Sequence, residues 1–147
     1  MITDREKLAP EELTELIRQR IVAAVEYRKA VVRDSDACRL VFSEADRLPG
    51  LIADRYGEVV TVQFLTQAMD REDLRAEVIA ALTDACCGGI SIVERSEPRI
   101  RDLDALPPRE SGLLAGSKTQ TVFRMNGLEF EFDALAGQKT EIGRAHV

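Results

Sequence analysis

Asn126-Gly127 is the feature that most restricts how this chain can fold. A two-residue type I' turn needs positive φ at both central positions, and this pair supplies it at the lowest steric cost. The pair separates residues 121–125 from residues 128–133, where Leu128, Phe130 and Phe132 alternate with Glu129, Glu131 and Asp133. Strand side chains alternate with period two, so the apolar three share one face and must cover a core. We expect Phe130 and Phe132 to be buried with Val60, Val62 and Phe64, with Glu129 and Glu131 toward water.

The remaining elements follow from the same kind of pattern. Residues 9–31 open with Pro10 and two glutamates and carry Leu13, Leu16, Ile17, Ile21, Ala24 and Val25 at helical spacing, which predicts an amphipathic helix. Extended segments are expected at residues 39–42, 51–54 and 59–65, joined by a type II turn at Leu48-Pro49-Gly50-Leu51 and a tight reversal at Tyr56-Gly57. Asp70 is the expected N-cap of a helix over residues 71–87, and Gly88-Gly89 its left-handed exit. Ile90, Ile92 and Val93 then make a short strand, and the proline-bearing residues 94–110 a strand end and loop. The class is therefore α+β: an N-terminal helix over a mostly antiparallel sheet built as meander, helix, strand and C-terminal hairpin.

At 147 residues with 45% hydrophobic content, the chain has room for one sizeable core. A net charge of -6 excludes a dedicated, strongly basic nucleic-acid binder while leaving room for a local basic patch. Apolar runs such as residues 21–25 are far shorter than the roughly 20 residues of a membrane helix. No secretory pattern opens the chain, and the cytoplasm is the expected compartment. Cys38, Cys86 and Cys87 lack metal-ligand spacing and read as small buried residues; no metal site is expected.

Three stretches invite chemistry. Residues 112–119 carry two glycines and Lys118 but have three residues between the glycines where a phosphate-binding loop needs four, and they precede a hairpin rather than a helix. A plain loop with glycine at positive φ is the expectation. Arg95, Arg99 and Arg101 could line up along RNA phosphates, although Glu94, Glu97, Asp102 and Asp104 interrupt them and spacing alone favours a self-neutralising surface. No serine, histidine and aspartate triad can be assembled, because His146 is the only histidine.

The run RLVFSEADRLPGLIADRYG over residues 39–57 closely resembles the middle region of bacterial class I S-adenosylmethionine-dependent ribosomal RNA large-subunit methyltransferases, the methyltransferase I family. Glu94-Arg95-Ser96 with Arg99 and Arg101 resembles the family's arginine-bearing segment, residues 112–116 its following loop, and Gly137-Gln138-Lys139-Thr140 the opening of its catalytic domain. Arg47 stands where the family usually has glycine. The resemblance covers about residues 22–140. It implies a parent with an N-terminal PUA domain, this central module and a Rossmann-like catalytic domain that methylates cytosine at carbon 5. By that resemblance Gln138, Lys139 and Thr140 would contribute to binding S-adenosylmethionine, while Arg95, Arg99 and Arg101 would contact large-subunit ribosomal RNA. It also leaves room for a homodimeric parent.

The chemistry implied needs a cysteine thiolate, a base and a glycine-rich turn for the methyl donor. None is found in the sequence, and all three cysteines lie upstream of where the catalytic one would fall. The expected organisation is a helix over residues 1–32 leading from a PUA domain, a central α+β domain over 33–134, and the start of a truncated methyltransferase domain at 135–140. Residues 141–147 are expected to be non-native, because codons for Ile142 to Val147 match a sequencing adapter read as coding sequence. The competing reading is a free-standing RNA- or protein-binding module without catalysis.

Overall fold

The computed structural model describes residues 9–96, 101–102, 105–106, 109–136 and 138–144. Helix α1 (Pro10–Val31) starts at Pro10, whose missing N–H costs nothing in a first turn, and buries Ile17, Ile21, Ala24 and Val25. Strands β1 (Ala37–Phe42), β2 (Leu51–Tyr56) and β3 (Val59–Phe64) form an antiparallel meander. A short 3-10 helix (Ser43–Asp46) follows β1, and Arg47 leaves it at φ 60°, a left-handed conformation that favours glycine. Gly50 sits at φ 85° with Leu51 N–H bonded to the Leu48 carbonyl at 3.0 Å, the geometry of the expected type II turn.

Helix α2 (Glu72–Ala85) buries Leu74, Val78, Ala81, Leu82 and Ala85, and returns the chain to β4 (Ser91–Glu94), parallel to β3. Strand β5 (Gly112–Ala115) adds antiparallel to β4, so a five-stranded sheet runs β1-β2-β3-β4-β5. Strands β6 (Gln120–Met125), β7 (Leu128–Asp133) and β8 (Gln138–Arg144) form a separate three-stranded antiparallel sheet. Asn126 and Gly127 at φ 53° and 77° make the expected hairpin turn.

The structure corrects several expectations. β5 occupies the expected glycine loop. Asp70 does not cap α2: Arg71 is the N-cap residue and no side chain caps the helix. The hairpin phenylalanines do not join Val60, Val62 and Phe64, which face the helices. Phe123 and Phe132 pack instead with Val59 and Val93, flanked by Tyr56 and Phe130. Alternation sends neighbouring residues of β3 to opposite faces, and the five-stranded sheet has a core on each: helices on one side, hairpin on the other. β8 includes Ile142, within the stretch set apart on codon grounds. Ladder pairing uses backbone groups that most residues carry, so the strand is neutral on that stretch's origin.

Candidate nucleic-acid interface

Of the three arginines marked by the sequence, Arg95 and Arg101 are tied to different parts of the fold. Arg101 is 3% exposed and donates to the Asp70 carboxylate at 2.9 Å and to the Phe64 carbonyl at 3.2 Å. Arg75 joins it, bonding Asp70 at 2.7 Å and Glu94 at 2.5 and 3.1 Å, with its guanidinium 4.4 Å from the centre of the Phe64 ring. Arg109 approaches Asp70 at 3.5 Å and Glu72 at 3.0 Å. Burial pushes the Asp70 carboxyl up, but the Arg101 hydrogen bond and the charges of Arg101, Arg109 and Arg75 together hold it below its usual value. Arg101 thus ties the segment after β4 to the start of α2. Arg95 is half-buried and donates to the Ala134 carbonyl at 2.7 Å, joining the two sheets. Arg99 lies outside the described residues.

The glycine-and-lysine stretch is also committed to packing. The N–H groups of Ser117 and Lys118 both point at the Ser91 hydroxyl, at 3.1 and 2.9 Å. Gly116 sits at φ 79°, and a Cβ there would meet Ser91 Oγ at 2.4 Å. These amides close a turn against β4 and cannot also cradle a phosphate.

Sequence reasoning missed a cleft of about 810 Å³ where the C-terminal end of α1, the β1–β2 edge and β6 converge. Its cationic lining is Arg28, Lys29, Arg55 and Lys118; Asp36 and Glu58 also line it. Arg28 is held bidentately by Asp46 at 2.6 and 2.9 Å, and Lys118 pairs with Glu58. Lys29 donates to the Ala85 carbonyl at 2.8 Å. Arg55 is half-buried, and its Nε–H goes to the Gly57 carbonyl at 2.9 Å. Its strand neighbour Asp54 is taken by Arg39. Burial pushes the Cys38 and Cys86 thiols up, and the Arg55 charge opposes this at both. The four cations are scattered over 90 residues of sequence, so no local pattern announces the cleft.

On β8, Lys139 pairs with Phe132 and Thr140 with Glu131 across the ladder. Lys139 Nζ stands 5.0 Å from the centre of the Tyr56 ring, and Thr140 is exposed. The side chain of Gln138 lies outside the described set. The connection from β3 to α2, residues 65–71, contains no glycine and so lacks the glycine-rich fingerprint of a dinucleotide-binding turn. Among the described residues no cluster could hold a metal ion, and no helix is long and apolar enough to cross a membrane.

Comparison with known proteins places this geometry. No family model matches the chain. It is 37% identical over 136 residues to a provisionally named ribosomal RNA large subunit methyltransferase of Methanocaldococcus jannaschii, covering 90% of the chain and 33% of that protein. It resembles one third of a ribosomal RNA methyltransferase. Ribosomal RNA large subunit methyltransferase I of Pseudoalteromonas translucida is 32% identical over 125 residues, and that of Shewanella amazonensis 34% over 128. Each match covers 83% of the chain and 31% of the relative, so the chain spans about a third of the length of the curated relatives it matches. The fold agrees. A provisionally identified methyltransferase solved in complex with SAH superposes with a TM-score of 0.65 at 19% identity, covering 86% of this chain and 31% of that one. A second, S-adenosylmethionine-dependent by its description and from Streptococcus mutans, gives 0.62 at 18%, covering 90% and 31%.

Proposed function

We propose that the chain is the central part of an S-adenosylmethionine-dependent methyltransferase that modifies carbon 5 of cytosine in large-subunit ribosomal RNA, and that this part positions the RNA or the catalytic domain. The observation that carries the reading is the match that fills 90% of the chain but 33% of the relative. Under it, residues 1–32 lead from a PUA domain, 33–134 are the positioning module, 135–140 open the Rossmann-like catalytic domain, and 141–147 are foreign. The methyl donor, the thiolate and the base are then supplied beyond Thr140, with Gln138, Lys139 and Thr140 at the rim of the donor site. The complete protein works in the cytoplasm on ribosomal RNA, and a homodimer is compatible with it. Arg95 and Arg99 remain candidates for the RNA surface, whereas Arg101 serves the fold.

The test is to sequence the locus from independent DNA, express the complete reading frame and measure transfer of labelled methyl from S-adenosylmethionine to large-subunit ribosomal RNA. Methylated cytosine is expected from the extended protein, with the present chain inert and without tight affinity for the methyl donor. An authentic stop codon directly after Val147, or an extended protein that leaves the RNA unlabelled, would overturn the proposal.

A further inference from the structure

We propose that the cleft between α1, β2 and β6 seats a phosphate of the RNA backbone, with Arg55 as its principal donor. The choice of RNA rests on the methyltransferase reading above; the anion seat rests on the geometry. Several arginines are neutralised by carboxylates: Arg18 by Glu77 and Asp84, Arg28 by Asp46, Arg39 by Asp54, and Arg75 by Glu94. Arg55, like Arg20 and Arg95, is hydrogen-bonded to a backbone carbonyl, and of these three it is the one that lines the cleft. A guanidinium carries five N–H donors in a planar fork, so donors remain for an incoming anion.

A half-buried cation has given up part of its hydration, and a well-placed anion offsets part of that cost. A phosphate oxygen pair matches the guanidinium fork bidentately, which a chloride or a single carbonyl does not. Lys29 adds positive charge to the same cleft, Lys118 is neutralised there by Glu58, and Gln120 and Thr121 line it with neutral donors. Of the two acidic lining residues, Glu58 is paired with Lys118, whereas Asp36 accepts only the backbone N–H of Arg124 at 3.0 Å and keeps its charge. A cleft of about 810 Å³ leaves room for the nucleotide attached to the phosphate.

The test uses the whole chain, a mixed-sequence single-stranded oligoribonucleotide and two independent readouts. The first is affinity by anisotropy at several salt concentrations. Arg55→Gln should weaken binding and flatten the slope of log affinity against log salt by about 0.7, one phosphate contact on a single strand. Arg71→Gln, at an exposed arginine outside the cleft, should leave the slope alone. The second readout needs no substitution: Cys38 lines the cleft and Cys87 is exposed elsewhere. Bound RNA should slow iodoacetamide labelling of Cys38 and leave Cys87 unchanged. RNA that binds with an unaltered slope in Arg55→Gln, or without protecting Cys38, would overturn the proposal and leave the methyltransferase reading standing. Absence of RNA binding, or protection of Cys38 by inorganic phosphate but not by RNA, would overturn it as well. The methyltransferase reading fails separately, in the methyl-transfer assay.

Discussion

Arg101 and Asp70 form an ion pair of 2.9 Å with side chains only 3% and 5% exposed, locking the segment that follows β4 against the entrance to α2. Removing one member of a buried pair strands the other charge, which typically costs about 3–5 kcal/mol. Arg101→Ala should therefore show a large loss of stability in urea titration while leaving the salt slope of RNA binding unchanged. A lowered slope with unchanged stability would return Arg101 to the RNA surface.

The same pair sets an acid limit. Because the Asp70 carboxyl is held below its ordinary value, its contribution is complete above about pH 3.9 and disappears as pH falls through the lower folded value. Stability measured in urea at decreasing pH should fall through that window, and Asp70→Asn should flatten the fall. An identical acid limb in the variant would show that other carboxylates govern it.

Phe132 stacks on Tyr56 with ring centroids 3.9 Å apart and is buried between the sheets, whereas Phe130 is only half-buried. Phe132→Ala should cost about 3–5 kcal/mol, the usual range for a packed phenylalanine, and Phe130→Ala clearly less. Thermal midpoints of the two variants rank them. Equal midpoints would mean the hairpin does not pack on Tyr56 as described.

Arg47 holds φ 60° at the end of the 3-10 helix. Arg47→Gly relieves the Cβ crowding of that conformation but loosens the unfolded chain, leaving an expected gain of up to about 1 kcal/mol. Its backbone contacts survive, since they are made by the N–H to Glu44 and by the carbonyl from Arg20. A destabilised glycine variant would show that the arginine side chain contributes there.

Cysteine reactivity should follow burial. Cys87 is exposed, Cys38 half-buried and Cys86 buried, and burial raises the thiols of Cys38 and Cys86. Timed alkylation followed by mass spectrometry should label Cys87 first and Cys86 last, with the Cys38 rate still climbing at pH values where an unperturbed thiol is already ionised, because burial raises its thiol. Early labelling of Cys86 would contradict its place in the helix-side core.

The sequence by itself determined the elements whose causes are local. Asn126-Gly127 sets its own turn, Pro49-Gly50 another, and the spacing of Ile17, Ile21, Ala24 and Val25 defines the buried face of α1. It also carried the resemblance to ribosomal RNA methyltransferases, because runs such as residues 39–57 are contiguous. Tertiary structure alone decided what depends on residues far apart in the chain. Alternation along β3 shows that Val59 and Val60 part company, but only the second sheet, packed on the far face, gives Val59 a core to join. Asp70 has the composition of a helix cap, yet Arg75, Arg101 and Arg109 converge on it and make it a buried counter-ion. Arg55 is one charge among many in the sequence. Its significance appears only when α1 and β6 close around it, since side-chain spacing within a strand carries no information about which distant charges share its surroundings.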